Sequence, residues 1–196
     1  MKNNLITAVL MTVATTILLG IVYPLLVTGI AQVIFPKQAN GQLIQKSGQT
    51  VGSRIIGQGF SGASYFHSRP SAAGNGYDAA NSAGSNFGPT NQKLIDRVKG
   101  GVASAQADNP GTTVPIDLVT TSASGFDPHI TPAAAEYQMP RVAKERGTTV
   151  GQLDALLVKH TEGRQLWVLG EPRVNVLELN LELDERFPTN KQTGAQ

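Results

Sequence analysis

Cysteine is absent from this chain, which excludes disulfides, thiolate metal ligands and a lipidated cysteine anchor. Charge is scarce as well: 15% of residues are Asp, Glu, Lys or Arg, and the formal net charge is only +2. With Lys and Arg scattered rather than clustered, there is no basic field for a nucleic acid to recognise. The three histidines, His67, His129 and His160, lie far apart and show neither H-x-x-x-H nor H-E-x-x-H spacing, so the sequence offers no zinc site. No G-x-x-x-x-G-K-[ST] loop occurs, and the Gly-rich stretches at Gly57–Gly62 and Gly84–Gly88 lack a following lysine. A phosphate cradle cannot be argued from them. An Asp-Lys-Thr-Gly sequence is missing too.

What is present begins with the first segment. From Asn3 to Pro36 no residue is charged, and Leu5 to Phe35 is dominated by Leu, Ile, Val, Ala and Thr. A helix of about 20 apolar residues crosses a hydrocarbon core of roughly 30 Å, so Leu5, Pro24 and Phe35 are read as start, middle and end of a membrane helix. A run of ~30 residues reaches about 45 Å and should tilt or protrude. Pro24 lacks an N–H for Gly20 and crowds its carbonyl, so a kink is expected there. Gly29-Ile30-Ala31 has the small residues of a signal cleavage site, yet the apolar run of roughly 25 exceeds the ~7–15 of a secretory signal. Lys2 flanks one side of the run, and Lys37, Lys46 and Arg54 the other. That near balance leaves the orientation open, and an external C-terminal domain is permitted.

The remainder reads as one soluble domain with its own core. The boundaries expected are 1–36 for the anchor, 37–52 for a linker or hairpin, 53–187 for the soluble domain and 188–196 for a frayed tail. Ile55 and Ile56 are expected to open a core strand. Between Gly57 and Pro89 the chain is rich in Gly, Ser, Asn and Ala but carries Phe60, Tyr65, Phe66, Tyr77 and Phe87. A flexible linker needs no such groups, so an ordered, irregular loop pinned by aromatics is predicted. A helix capped by Thr90 or Asn91 should follow, with Leu94, Ile95, Val98 and Val102 on one face.

Val114 to Thr121 reads as a strand. Thr131 and Pro132 open a helix that Pro140 should break or kink, with a short continuation to Arg146 and a stop at Gly147. Another helix begins at Thr149, with Val150, Leu153, Leu156 and Leu157 on one face. Leu177, Leu179, Leu181 and Leu183 alternate with Glu178, Asn180 and Glu182, the period of a half-buried strand. Trp167 to Leu169 reads as its neighbour. The fold class expected is therefore α+β, one N-terminal transmembrane helix followed by a single soluble α+β domain.

Among polar constellations, Ser124, Asp127 and His129 supply the residue types of an acyl-transfer triad. They crowd one short window without a G-x-S-x-G elbow, and Asp127-Pro128 before a Thr cap is ordinary turn chemistry. An anchored hydrolase or a binding module remains the alternative function. Arg69 and Arg173, each near proline and aromatic or apolar residues, read as carbonyl-binding groups that hold a loop or as anion or partner contacts.

Taken together these segments resemble the C subunit of the Kdp-type potassium-transporting ATPase. The stretches that carry the resemblance are Tyr23-Pro24-Leu25, Gly52-Ser53, Ile56-Gly57-Gln58, Tyr65 through Ser71, Gly84-Ser85-Asn86, Ser122 through Pro132, Gln138, Pro140 through Lys144, and Gly170 through Leu177 leading into Leu179-Asn180-Leu181. Phe126 stands where Leu is expected and Thr131 where Ser is common. The resemblance implies a single-pass subunit of the bacterial inner membrane, its soluble domain outside, within a complex that hydrolyses ATP to import potassium. Other subunits would hold the pore and the phosphorylated aspartate. It further implies a catalytic chaperone of ATP binding, with a nucleotide contact at Gln138 and ATP as cofactor. The expected partners are the potassium-pore subunit, the phosphorylated pump subunit and membrane lipid, without nucleic acid. Tyr65, Phe66, Arg69, Asp127 and His129 are the residues expected at the partner interface.

Overall fold

The computed structural model describes residues 2–189, and most of the tail expected at 188–196, from residue 190 onward, lies outside them. The chain divides into two compact units, one ending at Ser53 and one beginning at Arg54.

The first unit opens with a continuous helical run, Lys2–Ile34, long and apolar enough to cross a membrane. Helix α1 (Lys2–Ile17) passes through a π turn (Leu18–Val22) into α2 (Tyr23–Ile34). The π turn is the local answer to Pro24. Tyr23 N–H reaches back to Leu18 C=O, and the widened turn makes room for a ring that would otherwise crowd the Gly20 carbonyl. The hydroxyls of Thr7, Thr12 and Thr15 donate to carbonyls four residues earlier at 2.9, 2.9 and 2.7 Å, so these hydroxyls are satisfied within the helix. A single turn, α3 (Pro36–Ala39), leads to the hairpin of β1 (Leu43–Lys46) and β2 (Gln49–Ser53). Ser47 and Gly48 join the strands with φ of 52° and 80°, the two left-handed residues that a tight hairpin demands.

In the second unit, β5 (Arg173–Asn175) lies between β3 (His129–Ile130) and β4 (Thr161–Glu162), both antiparallel to it. Helices α5 (Pro132–Arg146), α6 (Val150–His160) and α7 (Val176–Arg186) pack on one another and on β5. Their shared core holds Ile130, Val142, Leu153, Leu156, Val174, Val176, Leu179 and Leu183, together with Phe66 from the irregular loop.

Several expectations are corrected here. The Leu177–Leu183 segment is helical. Val176, Leu177, Leu179, Asn180 and Leu183 are its buried residues, a 3–4–7 spacing that alternating leucines obscured. Asn175 caps this helix by accepting from Glu178 N–H at 3.1 Å, an Asn-x-x-Glu start signal that periodicity alone overlooks. Pro140 does not break α5. It is exposed, as is Glu136 four residues earlier, so the carbonyl left without an N–H faces water. The segment expected as a strand at Val114–Thr121 folds into a 3-10 turn at Ile116–Leu118, because the buried Asp117 carboxylate accepts from Thr131 N–H at 2.7 Å and from its hydroxyl at 3.2 Å. Ile55 and Ile56 sit exposed in a turn, and Val150 is exposed. Trp167 to Leu169 form an exposed turn rather than a strand.

Other elements agree with expectation. Asn91 caps α4 (Gln92–Asp108) by accepting from Lys93 N–H at 2.9 Å. Thr149 and Gln152 form a reciprocal capping box on α6, and Gly147 ends α5 at φ 64°. The Gly57–Pro89 stretch has neither helix nor strand yet is pinned by its aromatics: Phe66 is in the core, Phe60 packs against it, Tyr77 meets Phe126 edge-on at 6.4 Å, and Phe87 lies under Arg97. Gly57 is required, since a Cβ there would stand 2.5 Å from the Asp127 carbonyl oxygen.

On the surface between α6 and α7, Glu182 accepts from Lys159 at 2.6 Å and contacts His160 at 2.5 Å and Arg186 at 2.6 Å. The Lys159 hydrogen bond foremost, helped by His160 and Arg186 against the opposing effect of burial, lowers its pKa from 4.5 to about 2. A depressed carboxylate contributes stability that is complete above its unfolded value and fades as pH falls from about 4.5 through about 2. Glu182→Gln should therefore be less stable than the natural chain at neutral pH, and the gap should close toward pH 2. Urea midpoints measured across that range check this; a gap independent of pH would refute it.

Candidate functional site

The centre of the second unit is a backbone segment, residues 63–67, held by side chains instead of by a neighbouring strand. Asn180, fully buried on α7, accepts from Phe66 N–H at 2.9 Å and donates to Phe66 C=O at 2.9 Å. Gln138, buried on α5, does the same one residue on, accepting from His67 N–H at 2.7 Å and donating to His67 C=O at 3.2 Å. Two side-chain amides thus imitate the edge of a strand. Arg141 donates to the carbonyls of Ala63 and Tyr65 at 2.5 and 3.0 Å, and Arg146 to that of Ser64 at 2.8 Å. Arg146 is itself buried, paired with Asp184 at 2.8 Å and stacked 4.7 Å from the Tyr65 ring. The amides of Asn180 and Gln138 and the backbone groups that they meet thus trade hydration for protein partners, as burial demands, while Arg146 Nη2 is buried without a hydrogen-bond partner among the described residues.

Beside this clamp opens a cleft of about 450 Å³. Its walls include Phe60, Tyr77 and Tyr137, the small residues Gly101, Ser104 and Ala105 of α4, and the polar groups His67, Arg69, Gln138 and Arg141. Both guanidiniums are engaged. Arg141 contacts Asp108 at 3.2 Å and donates to Gln138 at 2.9 Å. Arg69 donates to Asp127 at 3.0 Å and to the Thr120 hydroxyl at 3.3 Å. Burial, reinforced by the Arg141 charge, holds His67 below its ordinary 6.5, so its imidazole is neutral at pH 7 and meets the Gly62 carbonyl at 3.0 Å.

A second recess, about 260 Å³, is lined by Arg69, Asp117, Asp127, His129, Glu171 and Arg173. Burial pushes the Asp127 carboxyl up, but hydrogen bonds from His129 and Arg69 outweigh it and hold the group below 3.8. The His129 ring lies 3.7 Å from Asp127, whose other bonds go to His129 N–H at 3.0 Å and to Arg69. Ser124 Oγ accepts from Phe126 N–H at 3.1 Å, a turn contact that leaves the Ser124–Asp127–His129 window accounted for by local structure.

The expected site residues therefore separate. Arg69, Asp127 and His129 meet at one recess, and Gln138 lines the cleft with its amide spent on backbone. Tyr65 is half-buried, its hydroxyl 3.2 Å from Asp184. Phe66 is 0% exposed, so its expected direct contact with a partner is corrected: it has no surface to offer. Sequence reasoning missed Asn180, Arg141, Arg146 and Asp117. For Asn180 the one available signal was a polar residue at a buried helical position, visible only once α7 is read as a helix. Leu5, Pro24 and Phe35 belong to the apolar first unit, and all three are exposed.

An α+β unit carried behind an apolar N-terminal helix, its interior built around a side-chain clamp, defines the class of the molecule. Comparison with known proteins refines it. The chain belongs to the family described as KdpC, the c chain of the K+-transporting ATPase, whose match spans residues 5–185. It is 65% identical over 96% of its length to the potassium-transporting ATPase KdpC subunit of Koribacter versatilis, covering 97% of that protein. It is 58% identical to the same subunit of Acidobacterium capsulatum over 93% of this chain and 98% of that one. Against the Rhodospirillum rubrum subunit the identity is 55%, over 96% and 98%.

Proposed function

We propose that this chain is a non-catalytic, single-pass accessory subunit of an ATP-driven potassium importer in the bacterial inner membrane, with its second unit on the outer side. The observation that carries this is identity over nearly the full length to proteins named as that subunit, supported by a helical run long and apolar enough to span a bilayer. Its partners are the pore subunit and the phosphorylated pump subunit. Its main contribution is to stabilise their assembly. The docking surface is the rim of the smaller recess, where the half-buried Arg69, Asp127 and His129 gather, together with the exposed parts of the Phe60–Phe87 loop and the Ser124–Thr131 turn.

Mild-detergent purification of the tagged chain from its native membrane should recover larger membrane subunits with potassium-stimulated ATPase activity. Stripping this chain should abolish that activity. Recovery of the chain alone would overturn the assignment.

A second reading, ATP chaperoning with a contact at Gln138, draws on the position of that residue in the aromatic-walled cleft. It predicts that complexes lacking this chain show a KM for ATP raised by roughly 5- to 150-fold, the usual span of coupling between sites. A purely assembling subunit would lower the amount of active complex and leave that KM unchanged.

A further inference from the structure

Four large apolar side chains stand in a row at the tip of the turn between β4 and β5: Leu166 is 78% exposed, Trp167 93%, Val168 72% and Leu169 56%. The turn is built to hold them out. Gln165 and Leu169 exchange backbone hydrogen bonds at 2.8 and 2.9 Å, and Arg164 grips both oxygens of Glu171 at 3.0 and 2.9 Å below them. Leu166 and Trp167 both adopt left-handed backbone, φ 49° and 68°, a conformation that turns of this kind normally give to Asn or Gly. Large side chains in that geometry are a cost without a structural return, since none of the four belongs to the core. Strain retained where it exposes a cluster of apolar groups points to use.

We infer that this tip is a second membrane contact, a wedge whose Trp167 and flanking leucines enter the boundary between headgroups and acyl chains of the bilayer that holds the chain's own helix. Three observations favour lipid over a protein pocket. Only the short α3 turn and the β1–β2 hairpin lie between Ile34, where the apolar run ends, and Arg54, where the second unit begins, so the chain carries its own apolar anchor close by in sequence. The four side chains of the tip are all largely exposed, and a fluid boundary accepts such a group without a matching cavity. Its order is apolar at the apex with a charged collar, Arg164 and Glu171, behind it. Shallow insertion requires that arrangement, and an indole suits it, because its ring prefers the apolar side and its N–H the wet side.

Trp167 is the only tryptophan, so its emission reports on the tip without a label. The full chain is reconstituted alone into phosphatidylcholine vesicles, and retention in the floated vesicles is read first. This inference rests on the helix being membrane-embedded, and failure at that step would overturn the anchor as well. In retained protein, Trp167 emission should be blue-shifted from that of a hydrated indole, strongly quenched by lipids brominated high on the acyl chain, and protected from aqueous acrylamide. Leu166→Ser combined with Leu169→Ser should return the emission toward the hydrated value while thermal unfolding followed by circular dichroism stays unchanged. A hydrated spectrum indifferent to brominated lipid would overturn the inference. So would a shift that appears only when larger subunits are present and that brominated lipid leaves untouched, since the occupant would then be protein.

Discussion

Asn180→Leu is expected to lower the stability of the second unit by about 2–6 kcal/mol, because it strands two buried backbone groups at about 1–3 kcal/mol each. Those groups are the N–H and C=O of Phe66, each 2.9 Å from the Asn180 amide. Leucine repeats the branched frame of asparagine with bulkier methyl groups, so no cavity opens, and overpacking adds to the loss of the hydrogen bonds. Against a typical total of about 5–15 kcal/mol, such a loss brings the unit close to unfolding. Asn180→Asp separates the contributions: the carboxylate retains an acceptor for Phe66 N–H but gives up the donor and buries a charge. Burial raises the pKa of such a carboxyl, so acidification restores a donor and should recover part of the loss. Chemical denaturation followed by circular dichroism measures both variants. An Asn180→Leu protein as stable as the parent would mean that water replaces the amide and that the clamp contributes little.

Phe66→Ala should cost about 3–5 kcal/mol, the usual range for emptying a buried aromatic site. Phe66 is 0% exposed within the cluster formed by α5, α6 and α7. Tyr65→Ala should cost less. Tyr65 is half-buried and gives up one hydrogen bond to Asp184 and its stacking with Arg146. The pair therefore separates folding from docking. Loss of partner subunits from Phe66→Ala should track loss of folded protein, and recovery of a folded variant that still fails to co-purify would show that the residue acts at an interface after all. Stability by denaturation and partner yield from the same preparation give the comparison.

These two predictions concern the segment where sequence and structure diverge most. The aromatic spacing in the Gly-rich stretch correctly implied an ordered loop, because Phe and Tyr side chains carry enough apolar area to tie down backbone that has no regular partners. Which aromatic faces inward was not legible. Tyr65 and Phe66 are adjacent, and only the amides of Asn180 and Gln138, 114 and 71 residues away in sequence, fix their register. Likewise the leucines of α7 fit a strand as well as a helix in isolation. The burial of Asn180 beside Leu179 and Leu183 becomes intelligible only when Phe66 arrives as its partner. The strand expected at Val114–Thr121 failed for a related reason: β-branched residues favour extended backbone, but a carboxylate from Asp117 accepting from Thr131 N–H and hydroxyl draws the chain into a turn.

The sequence by itself determined the features set by local chemistry. Among them are the uncharged run that becomes one long helix, a cap at Thr90 or Asn91, of which the structure uses Asn91, the Thr131 and Thr149 caps, the Gly147 stop, and the α+β class. Family membership was legible too, from motifs in register along nearly the whole chain. Tertiary structure decided what depends on groups far apart in sequence: the side-chain clamp on residues 63–67, the pairing that engages Arg69 and Arg141, the meeting of Arg69, Asp127 and His129, and the exposure of the Trp167 tip. Caps and helices form from groups within a few residues of one another, so their energetics are written locally. A buried amide or guanidinium is tolerable only where distant backbone meets it, and that meeting exists only after the chain has folded.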